Sequence, residues 1–209
     1  MEEYLQVSET IDWQHPEIVK CAEKIALKCK TPMETAKACF EWVRDEIYHS
    51  YDYQMNPVTY RASDVLQYQT GYCFAKSHLL AALLRANQIP AGFCYQRLSI
   101  DDRGAPYSLH GFNAIYLPEV GWYRVDARGN KEGINAQFTP PNEQLAYKIK
   151  LPLETDFLTI FAEPLPIVVE ALQAYNTWDE MLNNLPDISP KMMKSYCTKI
   201  KTSNNFSLD

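Results

Sequence analysis

The chain has 209 residues, of which 46% are hydrophobic and 22% charged, as in an ordinary globular domain. Twenty Lys and Arg residues against 26 Asp and Glu residues give a net charge of −6, so we expect no nucleic-acid partner. The longest apolar run, Leu79–Leu84, is far too short to span a bilayer, and no membrane contact is expected. This length predicts one domain over residues 1–209.

Cellular location and metal content are also indicated by the sequence. Glu2 and Glu3 stand where a secretory signal carries basic residues, so we expect a cytoplasmic protein. The six cysteines contain no C-x-x-C pair, which predicts free thiols and not a disulfide framework or structural zinc. His15 and His49 have no neighbours at metal-ligand spacing, and we expect no metal and no cofactor.

Two helices are predicted before residue 50. Hydrophobic periodicity indicates the first from Pro16 to about Lys28. The second begins with a capping box formed by Thr31 and Glu34 and continues to about Tyr48. Residues 48–60 follow no helical or strand period and are predicted to form a long surface loop. Its tyrosines either line a substrate groove or pack in a partly buried loop, and the sequence favours neither: Tyr48, Tyr51, Tyr53 and Tyr60.

The segment Cys73–Ala86 is rich in Ala and Leu around most of its circumference, which predicts a buried central helix. Pro90 follows shortly after its end. Cys73 occupies the first turn, where unpaired N–H groups and the helix dipole favour a thiolate, so this residue is a candidate nucleophile. A free cysteine in an apolar helix is also commonly a core residue, and position alone does not decide between the two.

Three strands are predicted next, forming an antiparallel meander and giving an α+β fold: Ala91–Leu98, His110–Leu117 and Gly121–Ala127. If Tyr116 faces Trp122 across the hairpin, then His110 and Asp126 lie on one face of the sheet. In that register Asp126 holds one imidazole nitrogen while the other points toward Cys73. This is the arrangement of orienting group, base and nucleophile in an acyl-transfer triad.

The C-terminal third is predicted to be an extension over residues 140–201. The chain is irregular after Gly133, and helices are expected from Pro164 to Tyr175 and from Thr177 to about Asn184. This region either covers the cleft or forms a packing layer, and we favour packing. Residues 202–209 are expected to be disordered.

Four blocks of sequence together resemble a known family, the transglutaminase-like branch of the papain-like cysteine enzymes, in a small bacterial type. The blocks extend over about half of the chain, and their order and spacing are more specific than any single block. They are Glu41–Tyr48, Gly71–Cys73 with Leu79–Ala91, His110–Asn113, and Gly121–Asp126.

The resemblance implies Cys73 as nucleophile, His110 as general base and acid, and Asp126 as the orienting carboxylate. It implies a helical layer, with the cysteine on a buried central helix, packed on an antiparallel sheet, within a motif core of about residues 32–135. The implied activity is acyl transfer on a peptide or protein amide, with hydrolysis favoured. Amine-acceptor transglutamination, a peptide:N-glycanase-like amidase and a catalytically idle peptide- or protein-binding module remain alternatives. Nothing in the sequence resembles a calcium site.

Two details of the resemblance stay open. Arg128, in the unusual stretch after the aspartate, could pair with Asp126 and compete for its orienting role. The backbone N–H of Cys73 is one expected oxyanion donor. The candidates for a second donor or for substrate contacts are Gln67, Gln69, Tyr72 and Trp122. The sequence does not indicate an oligomeric state.

Overall fold

The computed structural model describes residues 1–204, with the side chains of residues 1–197. Helices precede and follow the main sheet, and a 3-10 turn at Glu2–Leu5 comes first. The elements in chain order are α1 (Pro16–Ala26), α2 (Pro32–Glu46), β1 (Tyr48–His49), α3 (Ser50–Tyr53), α4 (Ala62–Tyr68), β2 (Thr70–Gly71), α5 (Cys73–Ala86), β3 (Ala91–Ser99), β4 (Tyr107–Leu117), β5 (Gly121–Val125), β6 (Thr155–Phe161), α6 (Pro166–Ala174), α7 (Trp178–Leu182) and α8 (Pro190–Asn204). Within residues 1–204, no helix combines the length and apolarity needed to cross a membrane.

Helix α2 begins where the sequence predicts. The Thr31 hydroxyl accepts the Glu34 backbone N–H at 3.1 Å, which satisfies one of the unpaired donors of the first turn. The Glu34 carboxylate accepts the Lys30 N–H at 2.6 Å and not that of Thr31, so the cap extends one residue further back than a capping box does. Ala36, Phe40 and Val43 are buried on the inner face of this helix.

Helix α5 is the centre of the molecule and has the bounds predicted from the sequence. Every residue from Cys73 to Arg85 is buried, because α1, α2 and α4 pack on one side and β3 and β4 on the other. A helix surrounded in this way has no water-facing side, which explains the absence of an amphipathic pattern in its sequence.

The main sheet is antiparallel with strand order β5-β4-β3-β6. Tyr116 pairs with Trp122 and Asn113 with Val125, which is the register in which the sequence places His110 and Asp126 on one face. The α+β class, with a helical layer on an antiparallel sheet, is thereby confirmed. The fourth strand, β6, was not predicted. It lies at the sheet edge, where Leu158 is exposed and a register irregularity opposite Phe93 interrupts the pairing, so its sequence lacks a clean alternation.

The predicted loop over residues 48–60 contains regular structure instead. Strand β1 pairs in parallel with β2, so that Tyr48 lies opposite Thr70 and His49 opposite Gly71. We refer to this two-strand pairing as the β1–β2 clasp. Helix α3 follows β1 directly. Strands of two residues are too short to produce a period in the sequence, which explains why the clasp was missed.

The C-terminal helices α6 and α7 lie within the predicted segments, and Thr177 with Glu180 forms the predicted capping box of α7. Helix α8 was not predicted. Disorder is predicted for residues 202–209, but the backbone of residues 202–204 continues α8 to Asn204. The rest of this predicted segment, residues 205–209, lies outside the described residues.

Candidate active site

Cys73 is the first residue of α5, and the polypeptide enters this helix from the β1–β2 clasp through Tyr72. The position of Cys73 is therefore fixed by the clasp that precedes it and by the buried helix that it begins. Its backbone N–H belongs to the first turn of α5, where N–H groups have no partner within the helix. All six cysteines, which lie in the described part of the chain, are free.

His110 and Asp126 form a buried hydrogen-bonded pair. The imidazole Nε2 lies 2.7 Å from the carboxylate Oδ2, and only 6% and 1% of the two side chains are exposed. Asp126 also accepts the backbone N–H of Arg128 at 3.2 Å and that of Ala146 at 3.1 Å. These three contacts fix the carboxylate, and the carboxylate fixes the imidazole.

The electrostatics of this pair favour a charged histidine. Burial alone would lower the pKa of His110, but the Asp126 carboxylate and the Cys73 side chain raise it above its ordinary value. Burial would likewise raise the pKa of Asp126, but the charge and hydrogen bond of His110 and the two backbone N–H groups lower it. Because Nε2 binds Asp126, Nδ1 is the nitrogen available to Cys73. The structure thus brings together the three residues predicted as a triad.

The contact between β4 and α5 depends on Gly111. A Cβ at this position would lie 2.7 Å from Cδ1 of Phe74, which is closer than side chains approach one another. The missing side chain lets β4 pack directly against the first turn of α5. His110 and Cys73 are the sequence neighbours of these two residues and are held close together by the same contact.

Arg128 does not compete for Asp126. Its guanidinium binds the Asp52 carboxylate at 2.5 and 3.0 Å, and Lys131 binds the same carboxylate at 2.6 Å. Only the backbone N–H of Arg128 reaches Asp126. The predicted competition is wrong, because the side chain of Arg128 turns toward α3.

The irregular segment between β5 and β6 covers the histidine and the aspartate. The Tyr147 ring lies edge-on to the His110 imidazole, with ring centroids 4.8 Å apart. Ala146 donates its N–H to Asp126, and Leu145 packs against the apolar cluster that includes Phe112. A packing role is the one expected for the C-terminal region, and residues 145–147 pack directly on the candidate site.

A second histidine near the site was missed. His49 in β1 is buried, and its ring lies edge-on to Tyr72 with centroids 5.6 Å apart. Burial and the positive charge of Arg128 lower the pKa of His49 well below its ordinary value, so the ring is neutral near pH 7. Its position next to the nucleophile follows from the β1–β2 clasp, which the sequence did not reveal.

The structure does not place the side chains of the four remaining candidates, Gln67, Gln69, Tyr72 and Trp122, beside the sulfur of Cys73. Gln67 and Gln69 are exposed at the end of α4. Tyr72 donates its hydroxyl to the Trp178 carbonyl and so points away toward α7. Trp122 packs between Tyr4 and Tyr116. Trp122 lies on the same face of the sheet as His110. Its cross-strand partner, Tyr116, is six residues from His110 along β4, so Trp122 is about 20 Å from His110 at strand spacing.

A polar cavity of about 140 Å³ opens beside the clasp and is lined by His49 and Lys76. Two of the four tyrosines considered above, Tyr48 and Tyr53, also line it, and their rings pack at a tilt with centroids 4.7 Å apart. Within the described residues, no group of three or more His, Cys, Asp or Glu side chains is arranged to hold a metal ion.

Solved structures of low similarity match parts of this chain. The match to a candidate cysteine protease from Cytophaga hutchinsonii has 22% identity over 60% of this chain and 40% of that protein, with a TM-score of 0.49. The periplasmic domain of TgpA from Pseudomonas aeruginosa, bound to ethylmercury, matches at 21% identity over 59% and 46%, with a TM-score of 0.44. The chain thus spans less than half the length of either protein.

No curated protein matches the chain. The sequence model of the Transglutaminase-like superfamily matches residues 19–127, slightly more than half of the chain. The matched range includes Cys73, His110 and Asp126, and it extends from α1 to the end of the β4–β5 hairpin. The chain therefore belongs to the transglutaminase-like superfamily.

Proposed function

We propose that this protein is a cysteine-dependent enzyme that transfers acyl groups from a peptide or protein amide, most simply to water. The observation that carries this proposal is the buried hydrogen bond between His110 and Asp126, in contact with Cys73 at the start of α5. A nucleophile, a base and an orienting carboxylate are the groups that amide cleavage requires. The superfamily match supports the same chemistry.

In the proposed reaction, the Cys73 sulfur attacks the amide carbonyl carbon and forms a C–S bond. Negative charge collects on the carbonyl oxygen, and the Cys73 backbone N–H at the start of α5 donates to it. The C–N bond then breaks, and His110 gives its proton to the leaving amine. Water, deprotonated by His110, attacks the thioester, and the C–S bond breaks to release the acid.

Asp126 acts on the imidazole and not on the substrate. Its carboxylate holds Nε2, so that the other nitrogen, Nδ1, exchanges protons with sulfur, leaving group and water. Tyr147 and residues 145–146 exclude water from the His110–Asp126 contact. A dry contact strengthens the attraction between imidazolium and carboxylate.

Water is proposed as the acceptor because hydrolysis needs no second binding site. An amine acceptor would give transglutamination from the same thioester. A protein that keeps the fold and leaves Cys73 unreactive would be a binding module, since a fold does not dictate a function.

The test is the alkylation of Cys73 by iodoacetamide between pH 5 and 9, followed by peptide mass mapping. We expect rapid modification at pH 6, and a rate at least about 10-fold lower in His110→Ala, because the histidine keeps the sulfur ionised. Two other cysteines serve as internal controls. Burial raises the pKa of both Cys39 and Cys94 to about 12, so neither should react at pH 6.

Slow alkylation of Cys73 in both proteins, rising only in the alkaline range, would overturn the proposal and favour the binding module. If Cys73 is reactive, a mixture of peptide amides is incubated with and without methylamine. Acid products whose formation requires Cys73 would support hydrolysis, and methylamide products would show transfer to the amine.

A further inference from the structure

A buried ion pair beside the site has no part in the proposed reaction. Arg128 and Asp52 form two hydrogen bonds, with 4% and 12% of their side chains exposed. Lys131 contributes a second cation to the same carboxylate. Burying charges is unfavourable, and buried ion pairs add little to stability over apolar packing. The location of this pair therefore calls for another explanation.

The arginine touches the candidate triad through two routes. Its backbone N–H binds Asp126 at 3.2 Å. Its guanidinium lies against the Tyr147 ring, 5.9 Å from the centroid, and that ring lies edge-on to His110. A change in the side-chain position of Arg128 would therefore reach both the aspartate and the histidine.

The aspartate connects the same pair to the nucleophile's side of the site. Asp52 lies in α3, directly after β1, and its carboxylate is 3.8 Å from Nδ1 of His49. No described residue makes a hydrogen bond to this buried Nδ1. The His49 ring packs against Tyr72, which precedes Cys73.

Charged and titratable groups surround this pair. Burial lowers the pKa of Arg128, but Asp52, Tyr147 and Cys73 together raise it. Two cations share one carboxylate, which leaves surplus positive charge in this cluster. The titratable groups that interact electrostatically with Cys73 come from several elements: Tyr72 before α5, Tyr95 from β3, His110 from β4, Arg128 after β5, and Tyr147. His49, Asp52, Lys76 and Asp126 interact in turn with these groups.

We propose that Arg128, anchored by Asp52, is a positioning residue of this site. It holds Asp126 and Tyr147 in place around His110, and so sets the position of the histidine that activates Cys73. The inference rests on the proposed function, because it matters only if the sulfur reacts as an anion.

The experiment is the pH profile of Cys73 alkylation by iodoacetamide in the full chain. Arg128→Gln removes the charge, and Arg128→Lys keeps it. The double variant Asp52→Asn with Arg128→Gln leaves no unpaired buried carboxylate, so it should fold even if the single change does not. Circular dichroism at each pH identifies the folded samples.

The double variant loses one positive and one negative charge, so the net charge of the cluster stays the same and a shift in its profile reports lost positioning. We expect this profile to move by about one pH unit toward alkaline, an approximately 10-fold lower rate at pH 6. Arg128→Lys should remain near the wild-type profile. Arg124→Gln is the matched control, because Arg124 is also ion-paired and partly buried on β5 but binds Glu143 and Asp156. Its profile should not move.

The outcomes separate the two proposals. Slow alkylation of the wild-type protein at pH 6 would overturn the proposed function. Rapid alkylation of the wild type, together with an identical profile in the folded double variant, would overturn only the role of Arg128. A shift of equal size in Arg124→Gln would also overturn it, because any lost positive charge would then have the same effect.

Discussion

At the scale of single residues, identical side chains differ because their surroundings differ. Cys39 and Cys94 are fully buried, and burial raises their pKa. Cys73 lies in the same core cluster as Cys39, but it contacts His110, whose own partner is a carboxylate. The chemistry proposed for Cys73 therefore depends on the neighbour that β4 supplies and not on the cysteine itself.

Asp126→Asn tests this dependence. An amide keeps the size of the side chain but lacks the charge that stabilises the imidazolium, so the pKa of His110 should fall. We expect Cys73 alkylation at pH 6 to slow by about 10-fold or more, as for loss of an orienting carboxylate. The control is Asp156→Asn, which removes a carboxylate bound to Arg124 on the same sheet. Equal rates in wild type and Asp126→Asn would contradict the orienting role.

At the scale of elements, the sequence predicted what local patterns encode. The sequence predicts helix α5 because Ala and Leu occupy most of its circumference, as expected of a helix in which thirteen consecutive residues are buried. The β4–β5 register was a condition of the sequence argument, since a slip of one residue would place His110 and Asp126 on opposite faces. The structure has the register that meets this condition, with Tyr116 opposite Trp122. The helix start, that register and the resemblance of the four blocks together indicate Cys73, His110 and Asp126.

What was missed depends on contacts between distant parts of the chain. The β1–β2 clasp joins residues about 20 apart and leaves no period in either strand. The positions of Tyr147 and Ala146 depend on where an irregular segment rests on the sheet. The preference of Arg128 for Asp52 over Asp126 depends on α3, which the sequence indicated only as loop. Local reasoning therefore recovers the reacting groups, and the groups around them require the fold.

The β4–α5 contact is open to a test at this scale. In Gly111→Ala the new methyl group would meet Phe74 at 2.7 Å, so strand and helix must separate. Overpacking of this kind destabilises by about 1–3 kcal/mol. We expect that loss in urea unfolding, together with slower alkylation of Cys73 in the folded protein, because His110 moves with its neighbour.

Gly92→Ala is the control for Gly111→Ala. A Cβ at Gly92 would lie 2.5 Å from Ile160 and 2.9 Å from the Phe161 carbonyl, at the contact between β3 and β6. This variant should lose similar stability and keep the alkylation rate of Cys73. If both variants alkylate equally slowly, general loosening would explain the result and not the β4–α5 contact.

At the scale of the whole molecule, the interior encloses imidazoles that are neutral when folded. His78 on α5 is fully buried, and its Nδ1 lies 2.7 Å from the Tyr60 carbonyl. Burial lowers its pKa from 6.5 to about 4. On acidification, His78 is therefore protonated in the unfolded chain before it is protonated in the folded protein. Its contribution to the free energy of unfolding is complete above pH 6.5 and declines as the pH falls toward 4.

We expect the free energy of unfolding to fall by about 3 kcal/mol from His78 alone between pH 6.5 and 4. His49, whose pKa is also lowered, acts in the same direction over this range, and Asp126 does so below its ordinary pKa of 3.8. His78→Gln removes one of these groups, so its urea-unfolding free energy should decline less steeply between pH 6.5 and 4. The comparison at pH 8, where His78 is neutral in both states, gives the fixed effect of the substitution. Parallel declines in both proteins would show that His78 does not contribute.

The β1–β2 clasp also has an evolutionary consequence. The clasp pairs residues 48–49 with residues 70–71, so the two ends of segment 50–69 lie side by side. The position of Cys73 is therefore set by the two short strands and not by the length of the segment between them. A change in the length of residues 54–58, between α3 and α4, would therefore be absorbed at their contacts with Trp178 and Asn176, while Cys73 remains in place. Tyr53 and the polar cavity border this stretch. The fold thus separates the residues of the proposed reaction from a stretch beside the cavity, and a relative could alter that stretch without rebuilding the site.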